Sequence, residues 1–119
     1  MNKVHFASAH VPRLSADVSL PARFQRLLDQ YDFEAMFKDK TIAMKMHFGG
    51  YLGYTTIHPL FVRMLVTRIK QAGGRPFAMD GSFSIGEAVS RGYTEETIGC
   101  PLVGAGGIND KYYYEHEVN

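Results

Sequence analysis

The sequence predicts an α/β domain with an open, mostly parallel sheet and helices on both faces. Between Thr41 and Asp80, a strand-like segment, a glycine-rich loop, an amphipathic helix and a second strand follow one another. This order is typical of a βαβ crossover, which places its two strands parallel and is almost always right-handed. A chain of 119 residues that is 45% hydrophobic and 21% charged fits one globular domain over residues 1–119.

The first third of the chain predicts a strand followed by a helix. Lys3 to Ser8 alternates apolar and other side chains, which favours a strand. Residues 9–19 carry turn signals, and Pro21 then suits the first turn of a helix. Residues 33–37 either extend that helix or form a second short one. The apolar face of the helix is formed by Phe24, Leu27, Leu28 and Tyr31.

The central segment contains the clearest strand, Thr41 to Phe48. Alternation along it places Lys45 and His47 on one face. A helix is predicted to begin near Thr56 to Pro59 and to end at a glycine pair, Gly73-Gly74.

The last third of the chain predicts short elements. Arg75 to Asp80 is a strand, Ile85 to Gly92 a short helix, and Leu102 to Ala105 a buried strand. Thr94 caps a further helix that reaches Ile98. The tyrosine-rich segment Lys111 to Val118 is predicted as an edge strand, through which two copies could form a homo-oligomer, because an unpaired edge invites pairing.

The candidate site lies where the two central strands end, because open parallel sheets bind ligands beyond the carboxyl ends of their strands. A lysine would supply charge there, glycines would let backbone amides approach an anion, and hydroxyl groups would donate hydrogen bonds. The predicted ligand-binding residues are Lys45, Gly49, Gly50, Gly53, Thr55, Thr56 and Ser82. The expected ligand is a small anionic molecule that bears a carboxylate or a phosphate.

His47 and Asp80 are the candidate catalytic residues of this site. A histidine can transfer a proton near neutral pH, and Asp80 could orient it, bind a metal or accept from a ligand hydroxyl. A structural alternative is that Asp80 only caps the turn that follows. The sequence contains no phosphate-binding loop of the G-x-x-x-x-G-K-[ST] type and no G-x-S-x-G elbow.

Composition excludes several classes of partner and cofactor. The formal charge is +1, which argues against binding to a nucleic-acid backbone. No apolar run approaches the roughly 20 residues that cross a bilayer. Cys100 is the single cysteine, so the chain forms no internal disulfide and cannot by itself hold an iron–sulfur cluster. With no secretory signal at its start, we expect a cytoplasmic protein. We also expect no metal site within this chain.

A resemblance to a known family covers roughly residues 1 to 118. The segments that carry it include Lys45-Met46-His47-Phe48-Gly49, Thr55-Thr56, Gly73-Gly74-Arg75-Pro76, Asp80 and Arg91-Gly92-Tyr93-Thr94. They resemble the uncharacterised Fe–S centre proteins (domain of unknown function 362). Members of that family are generally much longer, and many carry cysteine clusters for [4Fe–4S] centres. The resemblance therefore implies the N-terminal portion of such a protein, with the clusters outside this chain.

Two departures from the family pattern bear on the site. Gly50 stands where members often have an acidic residue, and Gly81 stands where they often have threonine. Three functions remain open at this point. The chain is a ligand-binding domain of an iron–sulfur-associated protein, a metal-dependent or acid–base enzyme that uses His47 and Asp80, or a scaffold domain without a ligand.

Overall fold

A computed structural model describes residues 3–49, 54–81, 84–106 and 117 of the chain. Its first elements are a 3-10 turn and two short helices. The elements in chain order are the 3-10 turn Ala16–Val18, α1 (Leu20–Leu28), α2 (Phe33–Phe37), β1 (Thr41–Lys45), α3 (Pro59–Gln71), β2 (Arg75–Asp80), α4 (Ser84–Ser90), α5 (Glu95–Ile98) and β3 (Leu102–Gly104).

The three strands form one parallel sheet in the order β1-β2-β3. Thr41 lies opposite Arg75 and Lys45 opposite Met79, so β1 and β2 end at the same edge. β3 pairs with the other side of β2, with Ala78 opposite Leu102. The predicted α/β class, the parallel crossover and the open sheet are confirmed.

α3 packs on the sheet face that carries Met44 and Ala78. Its Val62, Val66 and Ile69 follow helical spacing and are at most 2% exposed. Full burial of a side chain of this size contributes about 1.5–3 kcal/mol, so this contact is a main source of stability. The core around it is completed by Leu28, Phe33, Phe48, Ala88, Tyr93, Ile98 and Cys100.

The opposite face of the sheet carries Ala43 and Val103, and both are exposed. The buried residues of all five described helices belong instead to the core cluster that contains Met44 and Ala78. Helix cover on the second face therefore stays a prediction.

Side-chain caps fix where the early helices begin. Ser19 Oγ accepts from the Ala22 N–H at 3.3 Å, and Pro21 lies in the first turn of α1 as predicted. Asp32 Oδ1 accepts from the Ala35 N–H at 3.0 Å and starts α2. Residues 33–37 therefore form a separate helix and do not extend α1.

The prediction of a strand over Lys3 to Ser8 is wrong. This segment forms no strand, and Val4 and Phe6 are 89% and 86% exposed. The Arg23 guanidinium donates to the Ser8 carbonyl at 2.6 Å, which ties the segment to α1. An alternating apolar pattern forms a strand only where the backbone can pair with the edge of a sheet. In this segment, a side chain of α1 binds the backbone instead.

The later boundaries agree with the predictions to within three residues. β1 ends at Lys45 and not at Phe48, because a side chain of β2 takes the Phe48 N–H. Thr94 caps α5 as predicted, through its bond with the Thr97 N–H at 3.1 Å. The predicted edge strand Lys111 to Val118 lies, apart from Glu117, outside the described residues. Within those residues, every helix is too short or too polar to span a membrane.

A close approach at Gly74 gives a test of the packing between α3 and β1. A Cβ there would lie 2.7 Å from Ile69 Cγ2 and 2.9 Å from Ile42 Cδ1. We expect Gly74→Ala to lower the free energy of unfolding by about 1–3 kcal/mol, because Ile69 is fully buried and the Phe37 carbonyl oxygen also lies 3.1 Å from the added Cβ. Urea unfolding followed by circular dichroism measures it.

Gly86→Ala is the matched control. Gly86 lies in α4, and a Cβ there meets no atom within 4 Å. Because alanine favours helix over glycine, this variant should gain up to about 1 kcal/mol. Equal unfolding midpoints for the two variants would contradict the packing described.

Candidate functional site

Asp80 ties together the ends of the two central strands. It is the last residue of β2 and is 9% exposed. Its Oδ1 accepts from Lys45 Nζ at 2.7 Å and from the Gly81 N–H at 2.9 Å. Its Oδ2 accepts from the Phe48 N–H at 2.8 Å. The carboxylate thus cross-links the segment after β1 to the end of β2.

These donors keep Asp80 ionised. Burial alone would raise the pKa of Asp80, but the hydrogen bonds from Lys45, from the Phe48 N–H and from the Gly81 N–H outweigh it. The result is a pKa of about 2, below the ordinary 3.8. The carboxylate is therefore a permanently charged anchor near neutral pH and does not exchange protons there.

Lys45 is the cation of this anchor. Besides its bond to Asp80, Nζ donates to the Met46 carbonyl at 2.5 Å. The lysine side chain is 67% exposed, whereas that of Asp80 is 12% exposed. The charge of Lys45 is largely offset by its partner, so the strand ends carry little net charge from this pair.

His47 and Thr55 form a second contact near the strand end. His47 Nε2 lies 3.0 Å from Thr55 Oγ1, and both residues are exposed. Asp80 forms no hydrogen bond with His47 in the part of the chain that the structure describes. The expected contact between the two candidate catalytic residues is therefore not seen. The contact between His47 and Thr55 does bring the loop before α3 close to the end of β1.

The loop before α3 is pinned to the core through Tyr93. The Tyr93 hydroxyl donates to the Ile57 carbonyl, and its ring lies 5.2 Å from that of Phe48. Tyr93 is fully buried, and this burial raises the pKa of its phenol, against the effect of a hydrogen bond with Thr56. The backbone around Thr56 and Ile57 is therefore held in one place.

The start of α3 differs from the predicted anion site. The helix begins at Pro59, beyond both threonines, and His58 caps it: Nδ1 accepts from the Leu60 N–H at 3.2 Å. The Phe61 N–H donates to the His58 carbonyl at 3.0 Å, and Pro59 has no N–H. The first-turn amides are thus satisfied within the protein, so they offer little to an anion.

A cleft lies beside this helix start, between the loop and the turn after α4. One part of about 460 Å³ and an adjoining part of about 410 Å³ share His58, Pro59 and Arg91. Among the described residues, no aspartate or glutamate lines either part. The remaining lining residues are Tyr54, Thr56, Ile57, Leu60, Arg63, Gly92 and Thr97.

Backbone carbonyls hold both arginines of the cleft. Arg91 Nη1 donates to the Phe48 carbonyl at 2.8 Å, and its Nη2 pairs with Glu87 at 2.9 Å. Arg63 Nη1 donates to the carbonyls of Glu96 and Thr97 at 3.1 Å each. Two guanidinium groups are therefore positioned at one cleft by fixed contacts.

The structure places some of the predicted site residues together and does not describe others. Lys45 meets Asp80, and Gly49 adopts a φ of 116°, a conformation that favours glycine. Gly50, Gly53 and Ser82 lie outside the described residues. The cleft residues His58, Arg63 and Arg91 were missed by the sequence analysis. Arg91 contacts a carbonyl 43 positions earlier, and no short motif reports such a contact.

Ligands for a metal or an iron–sulfur centre are scarce among the described residues. No three histidine, cysteine, aspartate or glutamate side chains of the described ranges lie close enough to hold a metal ion. Cys100 is 3% exposed, and burial raises the pKa of its thiol. A [4Fe–4S] centre needs four thiolates, so this chain with its single cysteine does not fit one.

Comparison with family models, with curated proteins and with solved structures finds no match for this chain. The function is therefore argued from the geometry of the site.

The charge of Asp80 gives a test by pH. Because its folded pKa of about 2 lies below the ordinary 3.8, its stabilisation is complete above pH 3.8 and is lost as the pH falls towards 2. The shift corresponds to about 2 kcal/mol. We expect Asp80→Asn to lose much of this acid-dependent stability, measured by urea unfolding between pH 5 and pH 2.

Asp39→Asn serves as the control for removing one carboxylate. Asp39 is exposed, and its φ of 61° is one that asparagine tolerates. The decrease in the free energy of unfolding between pH 5 and pH 2 should be the same in this variant as in the original protein. If Asp80→Asn also leaves this decrease unchanged, the carboxylate of Asp80 does not stabilise the fold as described.

Proposed function

We propose that this chain is a ligand-binding α/β domain that holds a small anionic molecule beside the carboxyl ends of β1 and β2. The observation that carries the proposal is the cleft at the start of α3. It brings together Arg63, Arg91 and His58, and no carboxylate is among the described residues that line it. Opposite charge and hydrogen-bond donors in a concave site are the chemistry that recognises a phosphate or a carboxylate.

The anchoring of the two arginines favours recognition. A guanidinium presents five N–H donors in a planar fork, which matches the oxygens of these anions. Arg63 uses only Nη1 in the contacts of the described residues, so its Nε and Nη2 groups remain for a ligand. Because both side chains are already held, binding loses less conformational freedom than it would with mobile arginines.

The residues predicted at the strand ends have a supporting part in this proposal. Lys45 is paired with Asp80, so its ammonium adds less attraction than an unpaired lysine would. His47 and Thr55 lie on the exposed surface next to Tyr54, which lines the cleft. They supply polar contacts for the part of a ligand that extends out of the cleft towards β1.

The iron–sulfur association of the domain rests on the family resemblance alone. The Lys45-Met46-His47-Phe48-Gly49 segment is its most distinctive part. In this proposal the domain binds the ligand, and the thiolates of any [4Fe–4S] centre come from outside the chain. The lone buried thiol of Cys100 agrees with a cytoplasmic location, where thiols stay reduced.

The two alternative functions have less support. An acid–base enzyme that uses His47 and Asp80 together would need the two side chains to interact, but among the described residues Asp80 forms no hydrogen bond with His47. A scaffold without a ligand has no observation in its favour, because the predicted edge strand Lys111 to Val118 lies, apart from Glu117, outside the described residues.

Titration with inorganic phosphate and with pyrophosphate, followed by amide and arginine side-chain NMR shifts, tests the proposal. We expect shifts at residues 54–63 and 91–97. Arg63→Gln should weaken binding about tenfold or more, because a charge-assisted hydrogen bond contributes about 1.5–3 kcal/mol.

Arg26→Gln is the control for the loss of one positive charge. Arg26 is an exposed residue of α1 that contacts the Asp17 carbonyl and lies outside the cleft. Equal weakening in both variants, or shifts confined to α1, would mean that phosphate binds by net charge or elsewhere, and the cleft would be ruled out.

Glu87 gives a prediction of the opposite sign. Its carboxylate pairs with Arg91 at 2.9 Å and competes with an incoming anion. Exposed pairs contribute about 0.2–1 kcal/mol, so Glu87→Gln should tighten phosphate binding up to about fivefold in the same titration. Glu34→Gln breaks a comparable pair with Lys38 outside the cleft and should leave the affinity unchanged. Equal affinity in both variants would exclude Arg91 from the site.

A further inference from the structure

The same cleft also carries apolar side chains that the fold leaves uncovered. Tyr54 is 84% exposed, Ile57 53% and Leu60 41%. Tyr54 and Ile57 line the part of the cleft that holds Arg91, and Leu60 lines the adjoining part with Arg63. An apolar rim and a cationic lining therefore border one space.

The apolar rim is attached to rigid structure. The buried Tyr93 hydroxyl holds the Ile57 carbonyl, and Leu60 lies in the first turn of α3 with its N–H bonded to His58. Tyr54 precedes the two threonines that contact His47 and Tyr93. The backbone at Ile57 and Leu60 is therefore fixed before a ligand arrives.

We propose that the anionic ligand is a free mononucleotide, with its base on Tyr54 and Ile57 and its phosphate at Arg91 and Arg63. This inference rests on the proposed anion-binding function and names its substrate class. An inorganic anion would use the guanidinium groups and leave the exposed ring of Tyr54 without a role. A planar heterocycle stacks on an aromatic face, and the plane of a guanidinium also accepts such a ring.

The dimensions and charge of the cleft agree with this ligand. The part that Tyr54 and Arg91 share is a depression open to solvent with a volume of about 460 Å³, within the range of roughly 300–1,000 Å³ that is common for sites of small organic molecules. A longer nucleic acid is disfavoured, because the chain has a net charge of only +1 and a strand would need a continued basic surface.

The test compares AMP, ribose 5-phosphate and adenosine by calorimetry on the full 119-residue chain. AMP should bind at least tenfold more tightly than ribose 5-phosphate, since only AMP offers the base. Tyr54→Ser should reduce AMP to the level of ribose 5-phosphate and leave ribose 5-phosphate unchanged. Tyr31→Ser, at an aromatic residue outside the cleft, should leave all three affinities unchanged.

The outcomes separate this inference from the proposed function. If AMP and ribose 5-phosphate bind equally and both depend on Arg63, the nucleotide is ruled out while anion binding stands. If neither binds and inorganic phosphate does not bind either, the proposed function itself fails. An adenine oligonucleotide that binds more tightly than AMP would overturn the free mononucleotide in favour of a strand.

Discussion

The carboxylate of Asp80 is the contact on which the arrangement of this site depends. Parallel strands are joined by backbone hydrogen bonds only while they run side by side, and β1 stops pairing soon after Lys45. Beyond that point Asp80 replaces a backbone acceptor for the Phe48 N–H. A buried N–H without a partner would cost about 1–3 kcal/mol, so this carboxylate decides the path of the chain after β1.

Phe48 carries the effect of this anchor into the cleft. Its N–H is bonded to Asp80, its carbonyl accepts from Arg91, and its fully buried ring packs against Tyr93. Tyr93 in turn holds the carbonyl of Ile57, on the other wall of the cleft. The strand ends and the cleft are therefore one connected structure, although the proposed ligand does not touch the anchor itself.

The central crossover could be predicted from the sequence because its signals are local, whereas the strand predicted over Lys3 to Ser8 is wrong. The periodicity of β1, α3 and β2 defines the crossover, and Ser19, Asp32 and Thr94 are caps that act within one helical turn. The site could be predicted only in part. The sequence places Lys45 beside Asp80 through the parallel register. It does not reveal that both carboxylate oxygens already accept hydrogen bonds within the protein. The arginine contacts depend on tertiary folding, since Arg63 reaches carbonyls 33 and 34 positions away.

The shared contacts also explain why the polar groups of this edge divide into two sets. Lys45 and Asp80 neutralise each other and stabilise the fold, which leaves that pair little attraction for an external anion. The guanidinium groups of Arg91 and Arg63 are bonded to neutral carbonyls, so these bonds fix their positions without cancelling their charge. Glu87 is the one described carboxylate paired with either arginine. Its side chain is 51% exposed, so water weakens the pair. In the proposed function, the attraction for an anion at this edge therefore comes from the two cleft arginines and not from the pair of Lys45 and Asp80.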